Sequence, residues 1–473
     1  MAVKRKYDFG FLFRRYILIV VDVMLILAAL FVYLRFFHPS ALNNYHTFFE
    51  NILWVMLIVV LWFFYSYIFN LYKLANVDRI YLTIRNTAFT ALLTGITYLF
   101  IPFLSPTLPE NRFPAFVLIA AIVILVLIWR LCYALFLSHP ILNKKALVIG
   151  AGYTGREIVR TLLHDQAIYH RTAYKIYGYI DEDKDKHNKI YDDVKVLGSS
   201  DVLTKFASRL DVNEIILAIP EQENLSGTLY SKIVECEQKG IIVVQATELY
   251  EELTGKLMVK DKSGIYYLTN PYSILRTDNF YLLINRVMNL FCGLLAAVLF
   301  LIVLPFVWFS NVIFSKGPLF YIQERVGQNG KLFHIIKFRT MIVDAEKTSG
   351  PQFATKHDER ITTVGKFLRR TRLDELPQFI NILKGEMNLI GPRPERAFFV
   401  EELSKKIPFF NLRNTVKPGL TGWAQVKHYY AADVDDSLIK LQYDLFYIKY
   451  RSLLLDLQII FKTIAVILKF KGT

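Results

Sequence analysis

"LRRTRLDELPQFINILKGEMNLIGPRP", residues 368–394, sets two adjacent carboxylates, Asp374 and Glu375, among Arg369, Arg370, Arg372, Lys384 and Arg393. Leu376, Ile380 and Leu383, with Phe379 between them, recur at i, i+4 and i+7 and predict a helix. Pro377 is tolerated only in a first turn, so that helix is expected to begin between Asp374 and Pro377. Both carboxylates then lie at its N-terminal end, where the dipole and free N–H groups favour negative charge. A carboxylate kept ionised there suits a nucleophile. The same N–H groups, with Arg369, Arg370 and Arg372, suit a phosphate while charge moves in phosphoryl transfer. Attack by a carboxylate on phosphorus gives an aspartyl-phosphate type of intermediate, and the second carboxylate can hold Mg²⁺ or manage a proton. Taken alone, the stretch reads equally as an ordinary helix cap followed by a solvated charge.

The rest of the chain puts this stretch beside a membrane. Hydrophobic residues make up 54% of the 473 and aromatics 15%, which fits a polytopic membrane protein of two or three domains. Four runs near spanning length come first, at about 16–37, 48–71, 82–104 and 113–138. Lys4, Arg5, Lys6, Arg14 and Arg15 precede them, Lys73, Arg79 and Arg85 fall in or beside the second connection, and Lys144 and Lys145 follow the last. The first and third connections carry only Arg112. The bias of basic residues therefore places the N-terminus and everything after 140 in the cytoplasm. No cleavable signal sequence is expected, because the first apolar run is too long and lacks a small-residue cleavage site. Of the net charge of +15, the residues from 274 onward supply +11, with 28 Lys and Arg against 17 Asp and Glu. Beside spanning segments, such a surface points to anionic lipid or a phosphorylated substrate before nucleic acid. Cys132, Cys236 and Cys292 form no CxxC pair, so neither a disulfide framework nor a zinc site is expected.

Residues 146–265 change character. "ALVIG", "YKIYGYID", "EIILAIP" and "GIIVVQA" read as short buried strands separated by helical stretches, a doubly wound α/β pattern. Gly150, Gly152 and Gly155 make a G-x-G-x-x-G between the first strand and its helix, where a pyrophosphate can meet a helix N-terminus. Asp181 closes the next strand, as a ribose-binding acid would. The bland reading is that the glycines allow a tight turn and close packing. "YDDVK" at 191–195 copies the Tyr-x-x-x-Lys of reductases but lies in a charged loop soon after the glycines, and is read as chance.

A fifth apolar run, Leu290 to Phe314, contains Pro305 and has basic residues on both flanks: Arg276 and Arg286 before, Lys316, Arg325, Lys331 and Lys337 after. A helix broken at Pro305 would enter and leave the bilayer on one face. The chain ends in "SLLLDLQIIFKTIAVILKFK", whose Asp456, Lys462, Lys469 and Lys471 suit a helix lying in the interface.

Three stretches, "GPLFYIQERVGQNGKLFHIIKFRTM" (317–341), residues 368–394 and "VKPGLTGWAQV" (416–426), follow that run in order. Over about 285–470 the chain resembles the bacterial sugar transferases, the polyprenyl-phosphate hexose-1-phosphate transferases, in their long form. The resemblance implies a membrane protein, α plus α/β. It would have four N-terminal transmembrane helices (1–145), a Rossmann-like domain (146–265), a re-entrant membrane helix hinged at Pro305 (274–315) and a monotopic catalytic domain (316–473) ending in an interfacial helix. It implies transfer of a sugar-1-phosphate from a UDP-sugar to polyprenyl phosphate with release of UMP, at the cytoplasmic face of the bacterial inner membrane, with Mg²⁺. Asp374 falls on the family's nucleophile and Glu375 on its neighbour, the two together on the metal. Lys337, Arg339 and Arg369 fall on the phosphate-binding residues, Arg393 on the diphosphate-binding arginine, and "VKPGLTG" on a loop that closes over substrate. Three positions depart from the family pattern: Asn285 and Asn289, where Asn285-Arg286-x-x-Asn289 replaces Lys-Arg-x-x-Asp, and Leu304, which replaces a serine. The expected partners are the UDP-sugar and the lipid, with no nucleic acid, and a homodimer is left open. Two other readings compete, a non-catalytic scaffold of polysaccharide assembly and a nucleotide-sugar dehydratase or epimerase built on 146–265. The second needs a late Tyr-x-x-x-Lys that this chain lacks.

Overall fold

The structure is a computed structural model that describes residues 9–37, 52–72, 80–100, 113–134, 144–169, 174–219, 226–262, 265–268, 279–315, 317–343, 360–407, 409–428 and 434–468. It separates into two compact units, Met1–Ala246 and Thr247–Thr473.

The first unit opens with four apolar helices, α1 (Phe9–Phe37), α2 (Ile52–Ile68), α3 (Ile80–Phe100) and α4 (Phe113–Cys132). They pack α1 on α4, α4 on α3 and α3 on α2, around Ile26, Leu30, Tyr33, Ile58, Trp62, Tyr98, Ile122 and Val126. Only part of the expected four-span reading is met. Among the described residues, Tyr16–Phe37 is the one helix of the four long and apolar enough to cross a membrane, and Val55–Ile68 and Phe116–Cys132 are shorter apolar helices. In α3 the cause is compositional: Thr83, Asn86, Thr87, Thr90 and Thr94 are buried inside the bundle and dilute its apolar character. The bundle also buries an ion pair. Arg130 of α4 binds both carboxylate oxygens of Asp22 in α1, and Tyr72 Oη donates to Asp22 Oδ2 at 2.9 Å. The flanking Lys4, Arg5, Lys6, Lys73, Arg79 and Arg112 lie outside the described residues.

The same unit then forms a six-stranded sheet in the order β3-β4-β2-β1-β5-β6. Its strands are β1 (Lys144–Ile149), β2 (Tyr174–Ile180), β3 (Ile190–Tyr191), β4 (Val194–Gly198), β5 (Glu214–Leu217) and β6 (Ile242–Gln245). All pairs are parallel except the edge pair β3–β4, so the expected parallel sheet is met as to strand direction.

The second unit begins with α5 (Ala246–Thr254) and a hairpin, β7 (Val259–Lys262) and β8 (Ile265–Leu268). This compact division falls earlier than the sequence boundary at 265. Then come α6 (Asn279–Phe314), the antiparallel pair β9 (Phe320–Val326) and β10 (Leu332–Phe338), α7 (Thr363–Thr371) and α8 (Phe379–Lys384). After these follow β11 (Asn388–Ile390), α9 (Ala397–Lys406), β12 (Gly419–Thr421), α10 (Trp423–Lys427), α11 (Val434–Tyr450) and α12 (Leu453–Leu468). One core gathers Leu257, Val326, Ile390, Phe410, Trp423, Leu441, Leu445 and Ile459, and another Phe300, Val307, Phe338 and Leu368.

The expected interruption at Pro305 is not seen: α6 runs unbroken for 36 residues through it. Its buried residues, Tyr281, Asn285, Asn289, Gly293, Phe300, Val307 and Asn311, fall on one stripe at helical spacing, whereas Pro305 is exposed. The carbonyl that loses its donor to the proline therefore faces outward, and the inward face keeps its packing. That stripe rests on the same body at both ends. Near the start, Asn285 Nδ2 donates to Asp456 at 3.2 Å, Asn289 Nδ2 to Asn388 at 2.9 Å, and Leu389 N to Asn289 Oδ1 at 2.8 Å. Near the end, Asn311 Nδ2 donates to Gly317 O at 2.9 Å and Asn311 Oδ1 accepts from Arg339. Two of the departures from the family pattern, Asn285 and Asn289, are thus anchors in this chain.

Candidate active site

The stretch 368–394 builds its centre by changing helix type. Arg372, at φ +61°, ends α7 in the left-handed region, and the chain turns into a 3₁₀ segment, Leu373–Gln378, before α8. The expected helix start between Asp374 and Pro377 is therefore a 3₁₀ start, with both carboxylates in its first turn and Pro377 inside it. Asp374 and Glu375 are buried, at 8% and 7% exposure.

Two separate elements converge on Glu375. Lys337, near the end of β10, donates to Glu375 Oε1 at 2.9 Å, and Arg393, in the loop after β11, donates to the same oxygen at 2.6 Å. Asp374 is different: its Oδ1 is buried and accepts no hydrogen bond among the described residues. The electrostatics separate the two acids accordingly. Burial, with the charge of Glu375 added, pushes the Asp374 carboxyl up to about 6, against the pull of Lys337, Arg369 and Arg372. Burial also opposes ionisation of Glu375, but Arg393, Lys337 and Arg372 outweigh it and hold that carboxyl well below the usual range. Burial lowers the Lys337 ammonium, and the neighbouring Glu375 raises the Arg393 guanidinium. Paired acids with environments this unlike take different chemical roles.

The other sequence-marked residues divide. Arg369 donates through Nε to Thr340 Oγ1 at 2.9 Å and its charge acts on Asp374. Arg339 is spent elsewhere. It donates to Pro318 O at 2.7 Å, to Asn311 Oδ1 at 2.9 Å and to Ser315 O, closing the end of α6, so its phosphate-binding assignment is replaced by a structural one. The loop "VKPGLTG", expected to close over substrate, is bound into the fold as β12. Gly391 N donates to Thr421 O and Gly419 N to Pro392 O, both at 2.9 Å, and Asn388 N donates to Pro418 O at 2.8 Å. Its backbone groups are already paired with the loop that carries Arg393.

A second ionic cluster, absent from the sequence reading, fixes Arg393. Arg413 donates to Arg393 O at 2.9 Å and to Asp444 Oδ2 at 2.7 Å, Arg325 donates to Pro394 O at 3.2 Å, and Glu395 pairs with Lys440 and Arg413. The available signal was Asp444, a lone acid inside the apolar face of a helix. Arg372 belongs to the same centre, through its left-handed backbone before the two acids and its charge on both of them. Arg372, Glu375 and Arg393 line a cleft of about 510 Å³ together with Cys292 and Ala296 of α6 and Ile464 and Ile467 of α12.

The glycine turn of the α/β domain is shaped mainly by packing. Gly150 sits at φ +101°, and a Cβ on Gly155 would lie 1.9 Å from Gly150 O, while Gly152 faces open space. Asp181, expected on a ribose, instead accepts from Ala151 N at 2.7 Å, Asp183 N at 3.0 Å and Lys186 Nζ at 3.2 Å. Its carboxylate holds the turn itself.

Residues 280–470 match the family described as bacterial sugar transferase, and residues 67–226 match one described as a CoA-binding domain. The chain is 40% identical over 258 residues to a UDP-N-acetylgalactosamine-undecaprenyl-phosphate N-acetylgalactosaminephosphotransferase of Aeromonas hydrophila, covering 54% of this chain and 59% of that one. It is 47% identical over 136 residues to a putative undecaprenyl-phosphate N-acetylgalactosaminyl 1-phosphate transferase of Bacillus subtilis, covering 28% of this chain and 74% of that one. With a UDP-glucose:undecaprenyl-phosphate glucose-1-phosphate transferase of Xanthomonas campestris the identity is 46% over 151 residues, covering 32% and 31%. The chain thus spans 59% of the length of the first of these relatives.

Proposed function

Because the chain belongs to the bacterial sugar transferase family, we propose that its C-terminal unit moves a sugar-1-phosphate from a UDP-sugar to polyprenyl phosphate and releases UMP, the step that starts a capsule, exopolysaccharide or O-antigen repeat. The observation that carries the reading is the divided acid pair: Glu375 locked between Lys337 and Arg393, and Asp374 beside it with a buried oxygen that has no partner among the described residues.

The steps balance as two displacements on one phosphorus. Asp374 attacks the phosphorus that bears the sugar, the bond from that phosphorus to the UMP oxygen breaks, and UMP leaves. An oxygen of polyprenyl phosphate then attacks the same phosphorus, the bond to Asp374 breaks, and polyprenyl diphosphate-sugar is released with the carboxylate restored. Lys337 and Arg393 keep Glu375 ionised, and Arg369 and Arg372, the arginines whose charge acts on Asp374, face the diphosphate as negative charge shifts onto UMP. Among the described residues no three acidic, histidine or cysteine side chains gather, so a cation draws at most two protein carboxylates. That donor set fits Mg²⁺, which takes one or two carboxylates and fills its shell with phosphate oxygens and water. Asp374 and Glu375 would hold it, and it supplies positive charge against the diphosphate.

Membrane placement follows from α6. Both of its arms rest on one body while Phe291, Leu301, Phe306, Trp308 and Phe314 are exposed along its outside. We read it as lying at the cytoplasmic face of the bacterial inner membrane with that exposed side sunk into the bilayer, and with the cleft opening between it and α12.

The test is incubation of membranes carrying the protein with a panel of UDP-sugars and polyprenyl phosphate, with UMP as the readout. UMP is expected from at least one sugar and none from a folded Asp374→Asn protein. Full turnover by that variant refutes the nucleophile, and absence of UMP from every sugar refutes the activity and favours a scaffold.

A further inference from the structure

The C-terminal unit begins at Thr247, well before the family match at 280, so it includes a segment that the match does not cover. That segment is fastened to one wall of the cleft. Gly255 O accepts from Trp423 Nε1 at 2.9 Å, and Gly255 sits at φ +71° with its missing side chain filled by the indole: a Cβ there would lie 3.1 Å from Trp423 Cζ2. Leu257 is 3% exposed in the same core as Trp423, Leu441 and Leu445, and its N–H donates to Gln442 O at 3.1 Å. Glu251, 3% exposed, accepts from Lys449 Nζ at 2.7 Å and Tyr450 Oη at 2.6 Å. Trp423 also stacks on Phe446, with centroids 6.0 Å apart. The segment therefore grips α10 and α11, the two helices that supply Gln425, Val426, Ser437 and Lys440 to the cleft.

Gln425, two residues beyond the gripped indole, carries an unmet demand. Its Nε2 donates to Leu420 O at 3.2 Å, which fixes the orientation of the amide, because the reverse placement would set two oxygens face to face. Among the described residues its Oε1 is then a buried acceptor without a partner, on a side chain that lines the cleft. Gly422 lies beside it, and a Cβ there would come within 3.3 Å of that oxygen, so glycine leaves the approach clear. A buried carbonyl without a donor is costly to keep, and the cost falls when a ligand N–H reaches it. Charged groups at the same cleft, Arg393 and Lys440, suit phosphates.

We propose that Gln425 Oε1 accepts an amide-type N–H of the sugar-nucleotide donor, and that residues 251–257 hold it in position through Trp423. The inference rests on the reading of the cleft as the donor site. Such an N–H has two sources in a UDP-sugar: the imide of the uracil ring, or the acetamido group of an N-acetylated sugar. Each loses its partner when the acceptor is replaced, which discriminates strongly because a buried group is then left unpaired. Gln425 is a specificity residue here, and Glu251, Gly255 and Leu257 are positioning residues.

The test is equilibrium binding of UDP, a UDP-hexose and a UDP-N-acetylhexosamine to the purified full chain, wild type, Gln425→Met and Gly255→Ala. Gln425→Met keeps the volume and removes the acceptor, and thermal melting checks that it folds. About a tenfold loss of affinity is expected, the size of one hydrogen bond to a buried partner. Loss with all three ligands assigns the uracil imide, and loss with the acetamido sugar alone assigns that group. Unchanged affinity for all three overturns the Gln425 assignment. Gly255→Ala is expected to repeat the pattern of Gln425→Met; wild-type binding by folded Gly255→Ala overturns the positioning role of the segment. Failure of the wild type to bind any of the three refutes the donor-site reading itself, a result separable from the others.

Discussion

Asp374 and Glu375 are adjacent in the chain and opposite in consequence. The Asp374 carboxyl, raised to about 6 by burial and by its neighbour, holds its proton more tightly folded than unfolded. Through this group, stability therefore falls as pH rises from about 4 to about 6, and the ionised form present at pH 7 carries the whole penalty. Replacement by Asn removes it, so Asp374→Asn is expected to abolish UMP release while raising stability at pH 7 by on the order of 1–3 kcal/mol, measured by denaturant unfolding. Wild-type transfer is expected to rise with pH through about 6 and level off above it, and a profile flat from pH 5 to 8 contradicts the role. Glu375 has the reverse sign: its depressed carboxyl contributes stability above its unfolded pKa, which is lost as pH falls. Glu375→Gln leaves Lys337 and Arg393 facing one another without a counter-charge and is expected to cost roughly 3 kcal/mol, together with most of the activity. Equal stability changes in the two variants would defeat this division. Much of it was legible, because Lys337, Arg369, Asp374, Glu375 and Arg393 occur in ordered stretches. Arg339 was not. Alternation along a strand puts it on the same side as Lys337, but β10 ends at Phe338, and the guanidinium then meets the carbonyls at the end of α6.

Among elements, α6 departs most from its reading. Apolarity and Pro305 announced a broken helix, yet tertiary packing on both sides of the proline holds it continuous, since Phe300 and Val307 lie in one core. Continuity does not oppose a one-sided insertion, because the arms are fastened at Asn289 and at Asn311 to the same unit. Single cysteines at 280 and at 320 are both expected to resist an impermeant thiol reagent applied outside intact cells. Labelling at 320 alone would show that the helix crosses. Gly293 lies on the seam, where a Cβ would meet Leu383 Cδ2 at 2.8 Å. Gly293→Val is expected to lower stability by about 1–3 kcal/mol through overpacking, read as a loss of thermal midpoint. The loop 416–422 teaches the complementary lesson. The family resemblance made it a loop that closes over substrate, whereas Gly391 and Gly419 are glycine because the two strand ends approach too closely for a side chain. No pattern within one stretch announces a partner almost thirty positions away.

At the scale of the molecule, the layers were legible and the division between them was not. The doubly wound sheet follows from short apolar strands between helical stretches, but the join to the C-terminal unit falls after Ala246, one residue beyond the end of β6 at Gln245. No linker composition marks it. A chain begun at Thr247 is expected to retain UMP release, whereas one begun at Asn279 loses Leu257 from the core and the partner of the Trp423 indole. Removing a buried leucine alone costs about 2–5 kcal/mol, so the shorter chain is expected to melt well below the longer one. Equal melting and activity of the two would show the segment to be dispensable. The bundle of the first unit adds something that concerns birth and not catalysis. Asp22 is translated 108 positions before Arg130, its ion-pair partner. An acidic side chain at the middle of an inserting helix costs roughly 2.5–3.5 kcal/mol, so α1 leaves the ribosome as a reluctant guest of the bilayer. It becomes a settled one only when the fourth helix is made. A nascent chain interrupted before Arg130 carries its own mark of incompleteness in its first helix, open to any quality-control factor that surveys the membrane for unmatched charge.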